Sequence, residues 1–220
     1  MRSGYSAVPS AVMGRKQFVR LCGAGITGAA LVAVMGSGKT LARTERSLQA
    51  EFEAAAQEFK VPVELLLAMG YVNARWEMPP PESNEYEAGD LHGWGAYGIM
   101  QLVQNPWSDT LGEASRLTGL SEEELKTDRY ANVRGGAALL AESRGKRPGS
   151  LGDWLGAVNG SGGGGKEYRA VAGVGGGELF AEQVSEVLEK GASKRTNNGE
   201  QVSLRARSLE SRVTAAGRVI

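Results

Sequence analysis

From Leu48 to Val72, apolar side chains return every three or four residues, with a single interruption at Lys60–Pro62. That period places Leu48, Phe52, Ala55, Ala56 and Phe59 on one face of a first helix. It places Leu65, Leu66, Met69 and Val72 on one face of a second, ending near Trp76. Pro62 suits the opening of the second helix, where its missing N–H removes no intrahelical bond. Further on, Ser121 followed by Glu124 and Leu125 has the form of a capping box and opens a short helix. A longer helix is predicted over Asp128–Glu142, with Val133, Ala137, Leu140 and Ala141 sharing a face. One around Trp154 ends near Asn159, and the last, Glu178–Lys190, carries Phe180, Val184 and Val187 on its apolar side. The expected fold class is mainly α.

The breaks are as informative as the helices. Met78–Asp90, reading MPPPESNEYEAGD, stops regular structure with three consecutive prolines and carries Glu82, Glu85, Glu87 and Asp90, so it reads as a loop bordering a cleft. Gly135 and Gly136 lower helix propensity inside the 128–142 helix, which calls for a close helix contact to explain them. The run GSGGGG at 160–165 is a flexible break or a loop within the domain.

Two hundred and twenty residues allow one domain with tails. Twenty-five Lys and Arg balance 25 Asp and Glu, so net charge gives no reason to expect nucleic acid as a partner. With one Cys and one His, a disulfide framework and a multi-His or Cys metal cluster are both excluded, and no metal or cofactor is expected. Charge is nevertheless uneven. Residues 1–45 hold six basic groups against Glu45 alone, which leaves 19 basic and 24 acidic residues beyond them.

That basic start precedes the uncharged stretch Leu21–Met35, LCGAGITGAALVAVM, in the order of a secretion signal. At about 1.5 Å per residue this stretch falls short of a roughly 30 Å hydrocarbon core, so cleavage after Gly36 or Ala42 is expected rather than permanent anchoring. A short uncleaved anchor or a buried helix is the alternative. Residues 1–44 are therefore read as signal peptide and leader, and the product as secreted or cell-wall associated. AVMGSGKT at 33–40 imitates a phosphate-binding loop, but Ala33 stands where the pattern needs glycine, so no nucleotide is expected. At the other end, residues 191–220 hold six basic and two acidic groups with little periodic hydrophobicity. They read as a basic flexible tail or truncated linker that could lie against an anionic cell wall or membrane.

Several strings then align in order: AAQEFKVPVELLLAMGYVNARWE, GWGAYGIMQL, DRYANVRGGAALLAE, and WLGAVNG followed by EYRAVAGV. Over about residues 45–190 they resemble the lysozyme-like domain of soluble lytic transglycosylases and goose-type lysozymes. The likeness is greatest to the version at the front of secreted actinobacterial N-acetylmuramoyl-L-alanine amidases. A chain with one His cannot build the His-rich zinc site of those amidases. The resemblance implies a helical domain, monomeric, with a groove for alternating N-acetylglucosamine and N-acetylmuramic acid.

In that family a Glu near the end of the second helix protonates the glycosidic oxygen. The string here is Asn73, Ala74, Arg75, Trp76, so Asn73 occupies the acid position. The family's Gly-x-Met-Gln element corresponds to Gly98, Ile99, Met100 and Gln101, with Gln101 or nearby backbone facing sugar. Val158 replaces a family tyrosine, Asn159 is kept, and Trp154 and Asn132 match structural positions.

The substitution at 73 bears directly on chemistry. A leaving sugar oxygen needs a proton as its C–O bond breaks, and a partly buried carboxylic acid supplies one near neutral pH. An amide hydrogen-bonds but releases no proton. General acid catalysis contributes roughly 10²- to 10⁴-fold, so Asn73 keeps shape and deletes rate. Glu77, four residues on, shares the helix face if the helix extends that far, and is the alternative acid along with the loop carboxylates. Trp94 and Tyr97 either pack in the ordinary way under the Pro-rich loop or offer flat faces to sugar rings. Trp76 and Trp107 read as core or loop anchors, and His92 as a ligand contact or a loop cap. Three functions follow as expectations: a murein-binding domain with weak or no hydrolysis, an active murein hydrolase or lytic transglycosylase using Glu77 or a loop acid, or a non-catalytic secreted interaction module.

Overall fold

The computed structural model describes residues 46–89, 94–144, 149–158 and 176–220. The leader at 1–44, Asp90, His92, Asn159 and the glycine run at 160–165 lie outside the described residues. The mainly α expectation holds. Helices α1 (Leu48–Phe59), α2 (Val63–Ala74), α3 (Thr110–Thr118), α4 (Glu122–Thr127), α5 (Arg129–Ser143), α6 (Leu151–Val158) and α7 (Gly176–Lys190) make up most of the described residues.

Each end has a local cause. Ser47 caps α1 by accepting from the Ala50 amide, and Lys60 ends it in the left-handed region. The capping box at α4 forms in full: Ser121 N donates to Glu124 Oε2 over 2.9 Å, and Glu124 N donates to Ser121 Oγ over 3.2 Å. Helix α3 has no counterpart in the sequence reading. Its cap is Asp109, whose carboxylate accepts from Gly112 N at 2.9 Å.

Helix α2 is the centre of the core. Leu65 through Gly70 are all buried, so apolar surface surrounds that stretch rather than lying along one stripe. A Cβ on Gly70 would fall 2.8 Å from Phe52 Cζ, so the α1 ring seats against bare α2 backbone. α1 and α3 pack on α5, and α2 packs on α7. The paired glycines of α5 have the close contacts their sequence demanded. A Cβ on Gly135 would lie 2.9 Å from Leu102 Cδ1, and one on Gly136 would lie 2.7 Å from the Met100 side chain.

Three short strands sit between α2 and α3 in the chain: β1 (Ala96–Tyr97), β2 (Leu102–Asn105) and β3 (Ser108–Asp109). β1 pairs antiparallel with β2, Tyr97 opposite Leu102, and β2 pairs with β3, Asn105 opposite Ser108. These place the residues 98–101 in one turn and Pro106–Trp107 in the next.

Residues 191–220 differ from the flexible tail expected of them. They form the antiparallel hairpin β4 (Ala192–Arg195) and β5 (Gln201–Leu204), with Lys194 opposite Val202. Val202 and Leu204 point into the core while Gln201 and Ser203 face out, an alternation of period two that a search for helical spacing passes over. Charged residues of the segment also tie it to the helices. Glu200 accepts from Leu48 N at 2.9 Å and pairs with Arg129, whose Nε also bonds Glu51 at 2.6 Å. Arg207 pairs with Glu64 at 3.3 Å. Among the described residues no helix is long and apolar enough to cross a membrane.

Candidate functional site

The last full turn of α2, the 98–101 turn and the first turn of α5 meet at one residue, Met100. Asn73 Nδ2 donates to the Met100 carbonyl at 3.2 Å, and the Met100 N–H donates to Asn132 Oδ1 at 2.7 Å. Met100 is thus held at its N–H by one amide side chain and at its C=O by another. Asn132 is fully buried, and its Nδ2 also donates to the carbonyls of Tyr97 at 3.0 Å and Leu125 at 2.9 Å. Gly98 is required here: its φ is +72°, and a Cβ would come 2.3 Å from Asn132 Nδ2.

The orientation of the Asn73 amide follows from its partner. A carbonyl oxygen only accepts, so the NH₂ end must face Met100. One N–H and the Oδ1 remain to serve other partners. Asn73 is half-buried, which leaves it reachable from solvent. Gln101 follows directly in the left-handed region at φ 52°, and its Nε2 folds back onto the Gly98 carbonyl at 2.9 Å. Asn73 and Gln101 are therefore brought to the same turn.

Glu77 is not brought to it by the helix. α2 stops at Ala74, and Arg75 and Trp76 both take positive φ, 52° and 61°. Trp76 turns inward, 1 % exposed, and its Nε1 donates to the Leu67 carbonyl at 2.8 Å, which anchors the helix end. The chain past Trp76 has left the helical path, so the i to i+4 relation between Asn73 and Glu77 does not form. Instead Lys194 of β4 pairs with the Glu77 carboxylate, and Asn197 N donates to both its oxygens at 3.1 and 3.2 Å. Lys194 also donates to the Arg75 carbonyl at 3.2 Å, so the hairpin fastens this bend.

The aromatic residues divide differently from the sequence reading. Tyr97 is 5 % exposed, with the Lys126 ammonium 4.4 Å from its ring centre, so it packs rather than presenting a face. Burial, and then the charge of Glu85, push its phenol above the ordinary tyrosine range. Trp94 is 38 % exposed, and its carbonyl accepts from Asn105 Nδ2 at 3.0 Å. Trp107, expected as an anchor, stands 74 % exposed at the β2–β3 tip with Tyr86 edge-on to it. The string Asn105-Pro106-Trp107-Ser108 is a turn signal that foretells an exposed tip. Asn159 lies outside the described residues.

Cavities among the described residues lie elsewhere. One of about 470 Å³ runs between the end of α2 and α7, lined by Tyr71, Arg75 and Glu186 among others. Another, of about 440 Å³, lies between the α1–α2 corner and Ala216–Val219. Asn73, Gln101 and Trp94 line neither. Among the described residues no cluster of three or more His, Cys, Asp or Glu could hold a metal ion. Comparison with protein-family models and with curated proteins finds no match for this chain.

Proposed function

We propose that residues 45–190 form a lysozyme-like domain, secreted or associated with the cell wall, that binds murein glycan strands as a monomer with weak or no hydrolysis. The observation that carries this is the Asn73 amide on the Met100 carbonyl: the residue at the family's acid position is neutral and half-buried beside Gln101. Its remaining N–H and Oδ1 suit sugar hydroxyl and acetamido groups. It has no proton to give a departing oxygen.

The alternative of an active hydrolase asks Glu77 to supply that proton. Both Glu77 oxygens already accept from Asn197 N, and Lys194 pairs with the same group, so its carboxyl is engaged on the hairpin and not at the Asn73 turn. A general acid must also come within about 3 Å of the oxygen it protonates.

The test is co-sedimentation of the purified protein with insoluble peptidoglycan, with soluble glycan fragments as competitor. Retention that the fragments abolish, with no release of muropeptides, is the expected result. Absence of retention would favour the secreted interaction module instead.

A further inference from the structure

Trp107 has no part in the proposed site, yet the protein holds it outward on a stiff support. Trp76 and Trp154 are buried, at 1 % and 2 % exposure, whereas Trp107 is 74 % exposed. Asn105 fixes the turn beneath it: Oδ1 accepts from Trp107 N at 3.0 Å and from Ser108 N at 2.9 Å, and Nδ2 ties the turn to the Trp94 carbonyl. Pro106 removes one more backbone freedom. Tyr86 meets the indole edge-on, ring centres 5.8 Å apart at 87°.

Tyr86 is itself braced from behind. A Cβ on Gly95 would fall 3.1 Å from Tyr86 Cβ, so the β1 approach presses against it. The Gly95 N–H donates to the Asn84 carbonyl at 2.8 Å, which holds the two approaches together. A pair of aromatic rings presented to water on two anchored loops is organised before any ligand arrives, which lowers the ordering cost of binding.

We infer that Trp107, propped by Tyr86, is an outer stacking platform for one uncharged N-acetylhexosamine ring of a longer β-1,4-linked strand. This deepens the murein-binding reading and rests on it. The flat indole face matches the C–H face of a pyranose. The exposed carboxylates of Glu85 and Glu87, on either side of Tyr86 in sequence, suit hydrogen bonds from sugar hydroxyls and repel acidic polymers, so a neutral sugar fits better than an anionic one. Strand β2 begins immediately after Gln101 and ends at Asn105, so the platform stands about 13 Å of strand away from the Asn73 turn. A disaccharide held at that turn does not span the distance; a hexasaccharide does.

The test uses the full chain, its Trp107→Ala and Trp107→Phe variants, and β-1,4-linked N-acetylglucosamine di- and hexasaccharides, read by calorimetry and by acrylamide quenching of tryptophan emission. The wild-type protein is expected to bind the hexasaccharide and to lose part of its quenchable emission on doing so. Trp107→Ala weakens the hexasaccharide about tenfold, the scale of one aromatic contact, and leaves the disaccharide unchanged; Trp107→Phe recovers most of the loss. Equal hexasaccharide affinity for wild type and Trp107→Ala would overturn the platform and leave the murein-binding reading standing. An equal loss for both sugars would place Trp107 in the central site and also overturn it. If wild type binds neither sugar nor insoluble peptidoglycan, the murein-binding reading fails and the platform with it. Because Trp107 is so exposed, circular dichroism of the variants should match wild type.

Discussion

Lys194 reaches back across 117 positions of sequence to put its ammonium on the carboxylate of Glu77. The contact joins a strand of the C-terminal hairpin to the bend that ends α2, and it engages the carboxylate that follows Asn73 most closely in sequence. The hairpin therefore helps decide what the end of α2 can do.

Glu77→Gln is expected to leave muropeptide release at the wild-type level. The pair is a quarter to a third exposed, 23 % for Glu77 and 32 % for Lys194, so water screens it and its loss is worth at most about 1 kcal/mol. In a domain of this size that corresponds to a fall in melting temperature of about 2–4 °C. Turnover and thermal melting of Glu77→Gln and Lys194→Met check both expectations. Wild-type turnover that vanishes in Glu77→Gln would make Glu77 the acid.

Asn132→Leu tests the other side of the site. It strips partners from the Met100 N–H and from the Tyr97 and Leu125 carbonyls, three backbone groups in the core. At roughly 1–3 kcal/mol for each unsatisfied group, the combined loss of about 3–9 kcal/mol takes much of a typical domain's stability. Urea unfolding should show a midpoint far below wild type. A shift worth less than about 1 kcal/mol would mean that water replaces the amide without cost.

Much of this frame is legible in the residues. Ser121 and Glu124 announce the α4 cap, and Gly135–Gly136 announce a close approach whose partners prove to be Leu102 and Met100. What escapes is structure without a helical period. Val202 and Leu204 alternate with polar neighbours over only four residues, too short a run to stand out against the surrounding basic residues. The left-handed pair Arg75–Trp76 escapes as well, because neither residue type announces positive φ, and with it the displacement of Glu77. Tyr97 takes the packed of its two expected places and Trp107 leaves its own, because burial of a lone aromatic is decided by what packs over it, here Lys126 above Tyr97.

Tyr97 gives a pH dependence with a definite sign. Its phenol is raised in the folded state, by burial first and by Glu85 second, above the value of about 10 in the unfolded chain. The neutral form is the one the fold prefers. Its stabilising share is complete below pH about 10 and is lost as pH climbs through the folded value. Tyr97→Phe should therefore show a shallower decline in stability than wild type above pH about 10, because it has no phenol to ionise. Urea unfolding across that range, wild type against variant, measures the difference.

The most direct measurement is muropeptide release from purified peptidoglycan by wild type and by Asn73→Glu. Restoring a carboxylic acid beside Met100 and Gln101 is expected to raise release by at least about 10²-fold over a wild type that is near background. Fast release by wild type that Asn73→Glu does not increase would contradict the account, because the proton would then be coming from some other group.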